Sequence, residues 1–450
     1  MRNYTLEEIA SAVNGKVYGD PRAVINGVEI DSRDAREGEI FVPFKGARVN
    51  GHSFVRGLCE RGIASFWQQG EEGRPEGNII EVDDTLKAIQ KLAAHYRQSL
   101  NCRIIGVTGS SGKTSTKDML SAVLAEKYRV HKTFGNKNNE IGVPLTILSI
   151  EDRDEIAVVE MGISDFGEMD DLVDIVRPDY TVVTSIAPAH IMNFLTLDNI
   201  AAQKARINRD LKYGFCVYNG EAYGLKKAIK SYDIRSFSYG YQEDCDWQIR
   251  DVEMHEAGMS FRIRGIDETF SLPVLGRHQV LNAAASIILA LDFGLTAGEI
   301  NKAFSKLQLT PHRLQLRKIR EATVIDDCYN SNPGSLCAAL ELLSDYDERW
   351  HKTAVLGDML ELGPDSGRMH AAIAERIDFS RFENTLLFGE EMRNLHEKLN
   401  SQNIPNRWFA DRQELKNEVE KLLKPCSIIL FKASNGMKFI DLINELEGSL

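Results

Sequence analysis

A glycine-rich turn between an apolar strand and a helix is the feature that most restricts how this chain can fold. The segment IIGVTGSSGKTSTKDML starts with β-branched residues, passes through TGSSGKT and continues as an amphipathic helix. Gly109 and Gly112 permit positive φ and close backbone approach, and the helix N-terminus offers unpaired N–H groups. Lys113 supplies a cation for the β- and γ-phosphates, and Thr114 supplies a hydroxyl for Mg²⁺. The segment therefore predicts a nucleotide phosphate site.

This turn departs from the usual G-x-x-x-x-G-K-[ST] pattern, because Val107 stands where the first glycine is expected. The shorter TGSSGKT carries the turn instead. An incidental lysine in a strand-to-helix turn is the alternative interpretation, and the agreement of motif and context argues against it. We expect the phosphates to be held by Thr108, Gly109, Ser110, Ser111, Gly112, Lys113 and Thr114.

Short apolar strands alternate with helical segments over most of the chain. They include RIIGVTG, EIAVVEMG and DYTVVTSI after Cys102, and ATVIDDCYN, KTAVLGD, NTLLFGE and SIILFKAS beyond Pro311. This alternation predicts parallel sheets with crossover helices, and a doubly wound sheet in the last third. Between Trp247 and Pro273 apolar and polar residues alternate, which predicts an antiparallel annex.

The first part of the chain has a different pattern. A helix capped from Thr5, a strand-rich stretch and a closing helix capped by Asp84 indicate a compact α+β module. A chain of 450 residues should form about three domains. We predict an α/β protein with an α+β module at 1–100, a central P-loop parallel-sheet domain at 101–311 and a C-terminal Rossmann-like domain at 312–450.

Composition and charge exclude several classes of protein. The formal net charge of −12 does not supply the basic stripe that a nucleic-acid partner needs. The N-terminus lacks the apolar core of a signal peptide, and no apolar run is long enough to span a bilayer. Seven cysteines without a Cys-x-x-Cys pair favour reduced thiols. We expect a cytoplasmic protein with no nucleic-acid partner and no membrane insertion.

Eight segments resemble those of the Mur ligase family in order and spacing, across almost the whole chain. They are TGSSGKTSTK, GNKNNEIGVPLTIL, VVEMG, AH at 189–190, AQKARI, GRHQVLN, DDCYNSNPGSLCAAL and GDMLELG. The resemblance implies a domain for a UDP-sugar, a central ATPase and a C-terminal domain that closes over the nucleotide and brings the incoming amine. It implies an ATP-dependent amide ligase that activates a carboxylate as an acyl phosphate.

Within that family, DSR, EGEIFVPFKG and NGHSF resemble the uridine-binding module of the member that adds D-alanyl-D-alanine to a UDP-muramoyl-tripeptide for peptidoglycan. GNKNNEIGVP and YNSNPGS indicate the same member, although Asn50 replaces an acidic residue. The implied partners are small molecules, namely a UDP-muramoyl peptide and a dipeptide amine. We expect the protein to be a monomer. The implied substrate contacts are Asp31, Ser32, Arg33, Lys45, Gly46, Asn136, Asn139, Asn330, Ser335 and Asn435.

The resemblance also implies ATP with two Mg²⁺ ions. Glu160 ends the strand IAVVE and is a candidate ligand beside Thr114, with a solvated strand-end carboxylate as the alternative. His190 follows another apolar strand and resembles the ligand of the second metal. Lys204 matches a lysine that is carbamoylated in the family, which gives a cation the character of a carboxylate. An exposed helical lysine is the plain alternative.

The remaining implied residues lie on both later domains. His278 and Asn282 resemble nucleotide contacts, while Arg313 and either Asp326 or Asp327 resemble the groups that meet the γ-phosphate and ribose. Asn330, Asn332 and Ser335 either shape the amine-side pocket or cap the next helix. The implied catalytic set is Lys113, Glu160, His190, Lys204 and Arg313.

Three positions depart from the family pattern. Met192 and Arg206 stand where acidic residues are usual, and Asn435 stands where an arginine is usual. The sequence therefore leaves open a shifted amine substrate and a paralogue that binds without turnover. The retained Lys113 and Glu160 argue against the second, and the uridine-type module argues against a sister ligase such as folylpolyglutamate synthase. Which diamino acid the tripeptide carries also stays open.

Overall fold

Three sheets follow one another along the chain. The computed structural model describes residues 1–46, 49–188, 191–256 and 258–448. Within them lie a five-stranded, a nine-stranded and a six-stranded sheet, in that order along the sequence, with a small two-stranded sheet near the N-terminus. This is the α/β architecture that the alternation of strands and helices predicts.

The N-terminal sheet has the order β2-β7-β6-β5-β4, and β2 is its antiparallel strand. Thr5 and Asp84 cap the first and third helices, as the sequence predicts, by accepting from backbone N–H groups of the first turn. The elements are β1 (Tyr4–Thr5), α1 (Leu6–Val13), β2 (Lys16–Tyr18), β3 (Val24–Ile25), β4 (Gly27–Glu29), β5 (Glu39–Phe41), α2 (Val55–Glu60), β6 (Ala64–Gln68), β7 (Ile79–Val82) and α3 (Thr85–Ser99).

Helix α3 joins this domain to the next. Tyr96 donates a hydrogen bond of 2.7 Å to the Ile150 carbonyl, and Arg97 donates one of 2.8 Å to the Val176 carbonyl. Both side chains are buried, so the apolar stripe of α3 is a packing surface.

The central sheet has the order β16-β15-β14-β13-β12-β11-β8-β10-β9. Its strands are parallel from β8 to β14, and β15 and β16 form the predicted antiparallel annex. The strands are β8 (Arg103–Thr108), β9 (Val130–Lys132), β10 (Ile156–Glu160), β11 (Tyr180–Val183), β12 (Cys216–Asn219), β13 (Ser236–Gly240), β14 (Trp247–His255), β15 (Gly258–Ile263) and β16 (Phe270–Leu272). The helices are α4 (Lys113–Leu124), α5 (Gly142–Leu148), α6 (Glu168–Val176), α7 (Ile191–Phe194), α8 (Leu197–Ala205), α9 (Leu225–Ile229), α10 (Arg277–Asp292) and α11 (Ala297–Phe304).

Strand β8 lies between β10 and β11, so the chain crosses over in both directions from it. In such a sheet the crevice for a ligand opens at the carboxyl ends of the strands on either side of this switch point. The phosphate loop follows β8 directly and therefore lies in this crevice.

The C-terminal sheet has the order β17-β18-β22-β19-β20-β21, and β17 is its antiparallel strand. Its elements are β17 (Gln315–Ile319), β18 (Ala322–Asp326), α12 (Pro333–Asp345), β19 (His351–Gly357), α13 (Ser366–Arg376), β20 (Asn384–Phe388), α14 (Met392–Ser401), β21 (Arg407–Phe409), α15 (Arg412–Leu422), β22 (Ser427–Lys432) and α16 (Phe439–Gly448). The last strand thus returns between β18 and β19, and the carboxyl ends of the three come together.

Buried apolar side chains of α4 and α10 continue into those of α12 as one cluster. This packing brings the carboxyl edges of the central and C-terminal sheets to opposite sides of one cavity. Across the described ranges, no helix combines the length and apolar character that crossing a bilayer requires.

Candidate active site

A cavity of about 1120 Å³ lies between the central and C-terminal domains. The central domain contributes the phosphate loop, Glu160 and Lys204 to its wall. The C-terminal domain contributes Arg313, Asp327 and Asn435. The cavity therefore collects side chains that are distant in sequence, on the edge of each sheet where a ligand is expected.

The two glycines of the phosphate loop are required by its geometry. Gly109 has φ +151° and Gly112 has φ +84°. A Cβ on Gly109 would lie 2.0 Å from Oγ1 of Thr184, and one on Gly112 would lie 2.6 Å from Oδ1 of Asn282. Both positions therefore exclude any side chain, as the sequence pattern predicts.

The serines of the loop are fixed to the residues after β11. The Ser110 N–H donates to the Ser185 carbonyl at 2.9 Å, and the Ser111 N–H donates to Ser185 Oγ at 2.8 Å. Thr108, the last residue of β8, is buried and does not line the cavity. The loop is thus held against the segment that follows β11, the strand beside β8 in the sheet.

Lys113 lies over the loop, where its Nζ donates to the Gly109 carbonyl at 2.8 Å. Burial lowers the pKa of Lys113, while Glu160 acts in the opposite direction and Arg313 adds to the lowering. A cation held in this position gains an obvious partner when phosphate oxygens enter the loop.

Glu160 ends β10 and is only 1% exposed. Its Oε1 accepts from Thr114 Oγ1 at 3.3 Å and from Asn138 Nδ2 at 2.8 Å. Among the described residues its Oε2 has no hydrogen-bond partner. A buried carboxylate oxygen without a partner is unfavourable, and a cation would satisfy it. Thr114 and Glu160 therefore fit Mg²⁺, which prefers oxygen ligands of this kind.

Asn138 is a site residue that the sequence analysis missed, although it lies in the GNKNN segment between two predicted contacts. Asn136 and Asn139 both line the cavity. The Asn139 side chain also accepts from the N–H of Gly142, the first residue of α5, at 2.9 Å. The run of asparagines was the available signal for Asn138.

Lys204 lies on α8, is only 3% exposed and lines the cavity. Burial lowers the pKa of Lys204 well below its usual value, nearby Lys113 adds to this effect, and Glu168 opposes it. The exposed helical lysine considered as an alternative is therefore not what the structure contains. His190, the other predicted metal ligand in this region, lies outside the described residues.

The two unusual residues near Lys204 point elsewhere. Arg206 pairs with Asp170 on α6, with Nε 2.8 Å and 2.7 Å from the two carboxylate oxygens. Met192 packs against the C-terminal domain, since a Cβ on Gly363 would lie 2.0 Å from its Sδ. Neither residue lines the cavity.

Arg313 connects the C-terminal domain to the phosphate loop. Its Nη2 donates to Thr114 Oγ1 at 3.1 Å, and its guanidinium lies 4.1 Å from the centre of the Tyr329 ring. Its Nε finds no partner among the described residues. Arg313 therefore brings a guanidinium, with one buried donor still unpaired among the described residues, to the first turn of the loop helix.

Asp326, the last residue of β18, and Asp327, which follows it, face different surroundings. Asp327 lines the cavity and pairs with buried Lys432 at 2.7 Å. Asp326 is fully buried and turns instead to His312 and Arg317, at 2.7 Å and 3.2 Å. Of the two candidate nucleotide contacts, only Asp327 therefore lines the cavity. Lys432 was missed, and its place at the end of the strand SIILFK was the available signal.

His278 and Asn282 both line the cavity from α10. Burial lowers the pKa of His278 to about 4, with Asp327 opposing the shift. The imidazole is therefore neutral at physiological pH. Asn282 also supports the loop helix, because its Oδ1 accepts from Thr116 Oγ1 at 3.2 Å.

The predicted amine-side residues also line the cavity. Ser335 forms a reciprocal capping box with Asn332, so helix capping accounts for its hydrogen bonds. Asn332 Nδ2 reaches across the domains to Ser111 Oγ at 3.0 Å. Asn330 and Asn435 are exposed in the cavity wall.

The predicted uridine contacts lie on the N-terminal domain, away from this cavity. Arg33 hydrogen-bonds Asp31 at 2.9 Å and lowers the pKa of that carboxyl to about 2. Lys45 pairs with Glu71, and the Gly46 N–H donates to the Val49 carbonyl at 2.9 Å. Ser32 lies between Asp31 and Arg33 and is partly exposed. These groups form no part of the phosphate site.

Comparison with known proteins agrees with this arrangement. "Mur ligase family, catalytic domain" matches residues 24–97, "Mur ligase middle domain" matches 107–290, and "Mur ligase, glutamate ligase domain" matches 312–435. A Bacillus subtilis protein named UDP-N-acetylmuramoyl-tripeptide--D-alanyl-D-alanine ligase is 38% identical over 98% of this chain and 98% of its own.

Solved structures give the same result. MurF from Acinetobacter baumannii has a TM-score of 0.90 at 27% identity, covering 100% of this chain and 99% of its own. The MurF ligase of Thermotoga maritima in complex with ADP has a TM-score of 0.83 at 27% identity, covering 94% and 97%. These matches confirm the predicted three-domain α/β fold. Together with the similarity to the Bacillus subtilis protein along nearly the whole chain, they show that the protein belongs to the Mur ligase family.

Proposed function

We propose that the protein is an ATP-dependent, ADP-forming ligase that joins D-alanyl-D-alanine to UDP-N-acetylmuramoyl-tripeptide in peptidoglycan precursor synthesis. The observation that carries the proposal is the contact of Arg313 with Thr114, beside the unpaired oxygen of Glu160. It brings a guanidinium from one domain to the phosphate loop of another, as a phosphoryl-transfer site needs. The relatives that bear this enzyme's name supply the substrates.

The reaction must overcome the low reactivity of a carboxylate toward an amine. A carboxylate oxygen of the tripeptide attacks the γ-phosphorus of ATP, the bond to the β-phosphate oxygen breaks, and ADP leaves. The amine of the dipeptide then attacks the acyl carbon and displaces phosphate, losing a proton as the amide forms. Lys113 and the N–H groups at the start of α4 stabilise the phosphate charge, and Arg313 stabilises the charge of the transferring group.

Thr114 and Glu160 would hold one Mg²⁺ ion, which neutralises phosphate charge. For a second ion the proposal uses Lys204 as a carbamate, formed when its neutral amine adds to CO₂ and loses a proton. Burial away from solvent and next to Lys113 disfavours the ammonium form, which supports the modification. His190 remains the predicted companion ligand.

The remaining assignments follow the division of the chain into domains. Asp31, Arg33 and Lys45 are proposed to meet the uridine diphosphate end of the substrate, and Asp327 and His278 the ribose and base of ATP. The substrates are cytoplasmic metabolites, so the proposal includes a cytoplasmic location. A monomer stays the predicted state.

A coupled phosphate-release assay tests the function. Phosphate release should require ATP, UDP-muramoyl-tripeptide and D-alanyl-D-alanine together, and mass spectrometry should find the pentapeptide product. Phosphate release that does not depend on the muramoyl peptide, or binding of all substrates without release, would contradict the proposal. The second result would favour a paralogue that binds without turnover.

Arg313→Ala should lower kcat by about 10²-fold while changing the KM for the muramoyl peptide little. The reason is that Arg313 reaches Thr114 of the phosphate loop from the opposite domain, while its buried Nε has no partner among the described residues. Arg368→Ala serves as a matched control, because that exposed arginine pairs with Asp365 away from the cavity. Wild-type kcat in Arg313→Ala would remove this residue from the mechanism.

Asn435 should relax or alter the choice of the incoming amine. It stands in the cavity wall where the family pattern has an arginine, so one cation for the amine substrate's carboxylate is missing. A screen of candidate dipeptides and amines by product mass should find acceptors beyond D-alanyl-D-alanine, and Asn435→Arg should narrow the range. Use of D-alanyl-D-alanine alone, unchanged in Asn435→Arg, would show that the residue plays no part in selection.

A further inference from the structure

Residues 310–312 connect the central and C-terminal domains. One buried carboxylate of the central domain holds the first of these residues in place. Asp118 lies on α4 and is only 3% exposed. Its Oδ2 accepts from both the backbone N–H and the hydroxyl of Thr310, at 3.0 Å and 2.6 Å. Thr310 precedes the C-terminal domain, so α4 holds the connection at this point.

The same carboxylate is held firmly within the central domain. Its Oδ1 pairs with Lys132 at 2.8 Å and with buried Lys117 at 3.5 Å. Lys117 in turn donates to the Thr133 carbonyl at 3.0 Å. Asp118 is therefore a fixed point to which the connection is tied.

The connection is fixed on its other side to the C-terminal sheet. His312 Nδ1 lies 2.7 Å from Oδ2 of Asp326, the last residue of β18. The Tyr329 N–H donates to the His312 carbonyl at 3.2 Å, and the Leu314 N–H donates to Asp327 at 3.3 Å. From His312 onward the chain is therefore expected to move together with the C-terminal domain.

Only Pro311 lies between these two fixed points. Its ring restricts its own φ, and His312 has φ +63°, a region that non-glycine residues adopt rarely. Relative rotation of the domains is therefore confined to a few bonds around Pro311. Arg313 lies immediately beyond this pivot, and its target Thr114 lies one helical turn before Asp118 on α4.

We propose that Asp118 is a positioning residue, which sets the place of Arg313 over the phosphate loop by anchoring Thr310 on the same helix that carries Thr114. The anchor fixes where the C-terminal domain pivots when it closes, and so fixes where the guanidinium arrives. The effect on catalysis rests on the proposed function, whereas the effect on domain geometry does not.

The competing explanation is that Asp118 serves only to neutralise buried Lys117 and its more exposed neighbour Lys132. Asp118→Ala cannot separate the two, since leaving Lys117 buried and unpaired would destabilise the whole domain. Thr310→Val can, because it removes the hydroxyl donor and leaves the ion pairs of Asp118 intact. Thr310→Ser keeps the hydroxyl and is the conservative control.

Domain geometry is measured by the distance between two spin labels. One label is placed on the native exposed Cys426 and the other on Lys230→Cys, an exposed position of the central domain, with Cys59 replaced by serine. The labelled protein is measured with ATP and Mg²⁺ bound. Thr310→Val should broaden the distance distribution, and Thr310→Ser should match the parent protein, with unfolding midpoints of all three alike.

Turnover should follow the geometry. Thr310→Val should lower kcat by about tenfold with the KM for ATP little changed, and Thr310→Ser should retain at least about half of the parent value. A distance distribution and kcat equal to those of the parent in Thr310→Val would overturn the proposal. A fall in the unfolding midpoint with an unchanged distance distribution would overturn it in favour of a purely structural role. If the protein showed no ligation activity, the distance measurement would still test whether the contact of Thr310 with Asp118 fixes the domain geometry.

Discussion

Lys113→Ala is expected to abolish ligation, with kcat lowered by at least about 10³-fold, while UDP-substrate binding stays within about twofold of the wild type. Lys113 lies across the phosphate loop, with its Nζ 2.8 Å from the Gly109 carbonyl, and is the cation expected to meet the incoming phosphates. The predicted uridine contacts lie on a different domain, outside the cavity that contains Lys113. Loss of the cation should therefore remove phosphoryl transfer and spare the anchoring of the nucleotide sugar.

The measurement pairs phosphate release with calorimetric titration of UDP-muramoyl-tripeptide. Lys226→Ala is the matched control, since that lysine is on the surface of the central domain and pairs with Asp244. Equal loss of ligation and of UDP-substrate binding in Lys113→Ala would contradict the division into separate nucleotide and uridine domains. Substantial remaining ligation would contradict the assignment of the phosphate loop.

Lys204 should control activity through its modification. Stripping bicarbonate and CO₂ from the assay should lower the rate, and adding bicarbonate should restore it. Lys204→Ala should lower kcat by about 10²-fold or more, with partial rescue by a short-chain carboxylate such as acetate. The physical reason is that a carbamate forms from a neutral amine, and burial beside Lys113 lowers the pKa of Lys204. The neutral amine is therefore available at lower pH than for an exposed lysine.

Lys227→Ala, an exposed lysine of α9, is the control for loss of a positive charge. Full activity of Lys204→Ala without any added acid would refute the carbamate. So would an unmodified ammonium in a high-resolution map collected without acid. Arg206 pairs with Asp170 and Met192 packs on Gly363, so neither side chain lines the cavity that contains Lys204. The departures at these positions are therefore compatible with a working site.

The parts of the site that were predictable from sequence are those encoded by a local pattern. Gly109, Gly112 and Lys113 follow from a strand, a turn and a helix that are contiguous in the chain, and Glu160 follows from its place at the end of an apolar strand. Such patterns fix conformation within a few residues, so they can be recognised without knowing the rest of the fold.

The missed features depend on which distant segments meet. Asp118 and Thr310 are 192 residues apart, and Lys432 pairs with Asp327 only because the last strand returns beside β18. The sequence could not choose between Asp326 and Asp327, since which of them faces the cavity depends on how β18 sits in the sheet. Whether Lys204 is buried or exposed was open for the same reason, because the sequence of its helix does not show which face packs against the rest of the protein.

The most direct test of the central claim uses a muramoyl-tripeptide whose terminal carboxylate carries oxygen-18. If ATP activates that carboxylate as an acyl phosphate, each amide formed must leave one carboxylate oxygen in the released phosphate. Mass spectrometry should therefore find phosphate that carries one heavy oxygen in equal amount to the ligated product, and ADP as the nucleotide product. Unlabelled phosphate, formed while labelled peptide is ligated or left unchanged, would contradict carboxylate activation at this site.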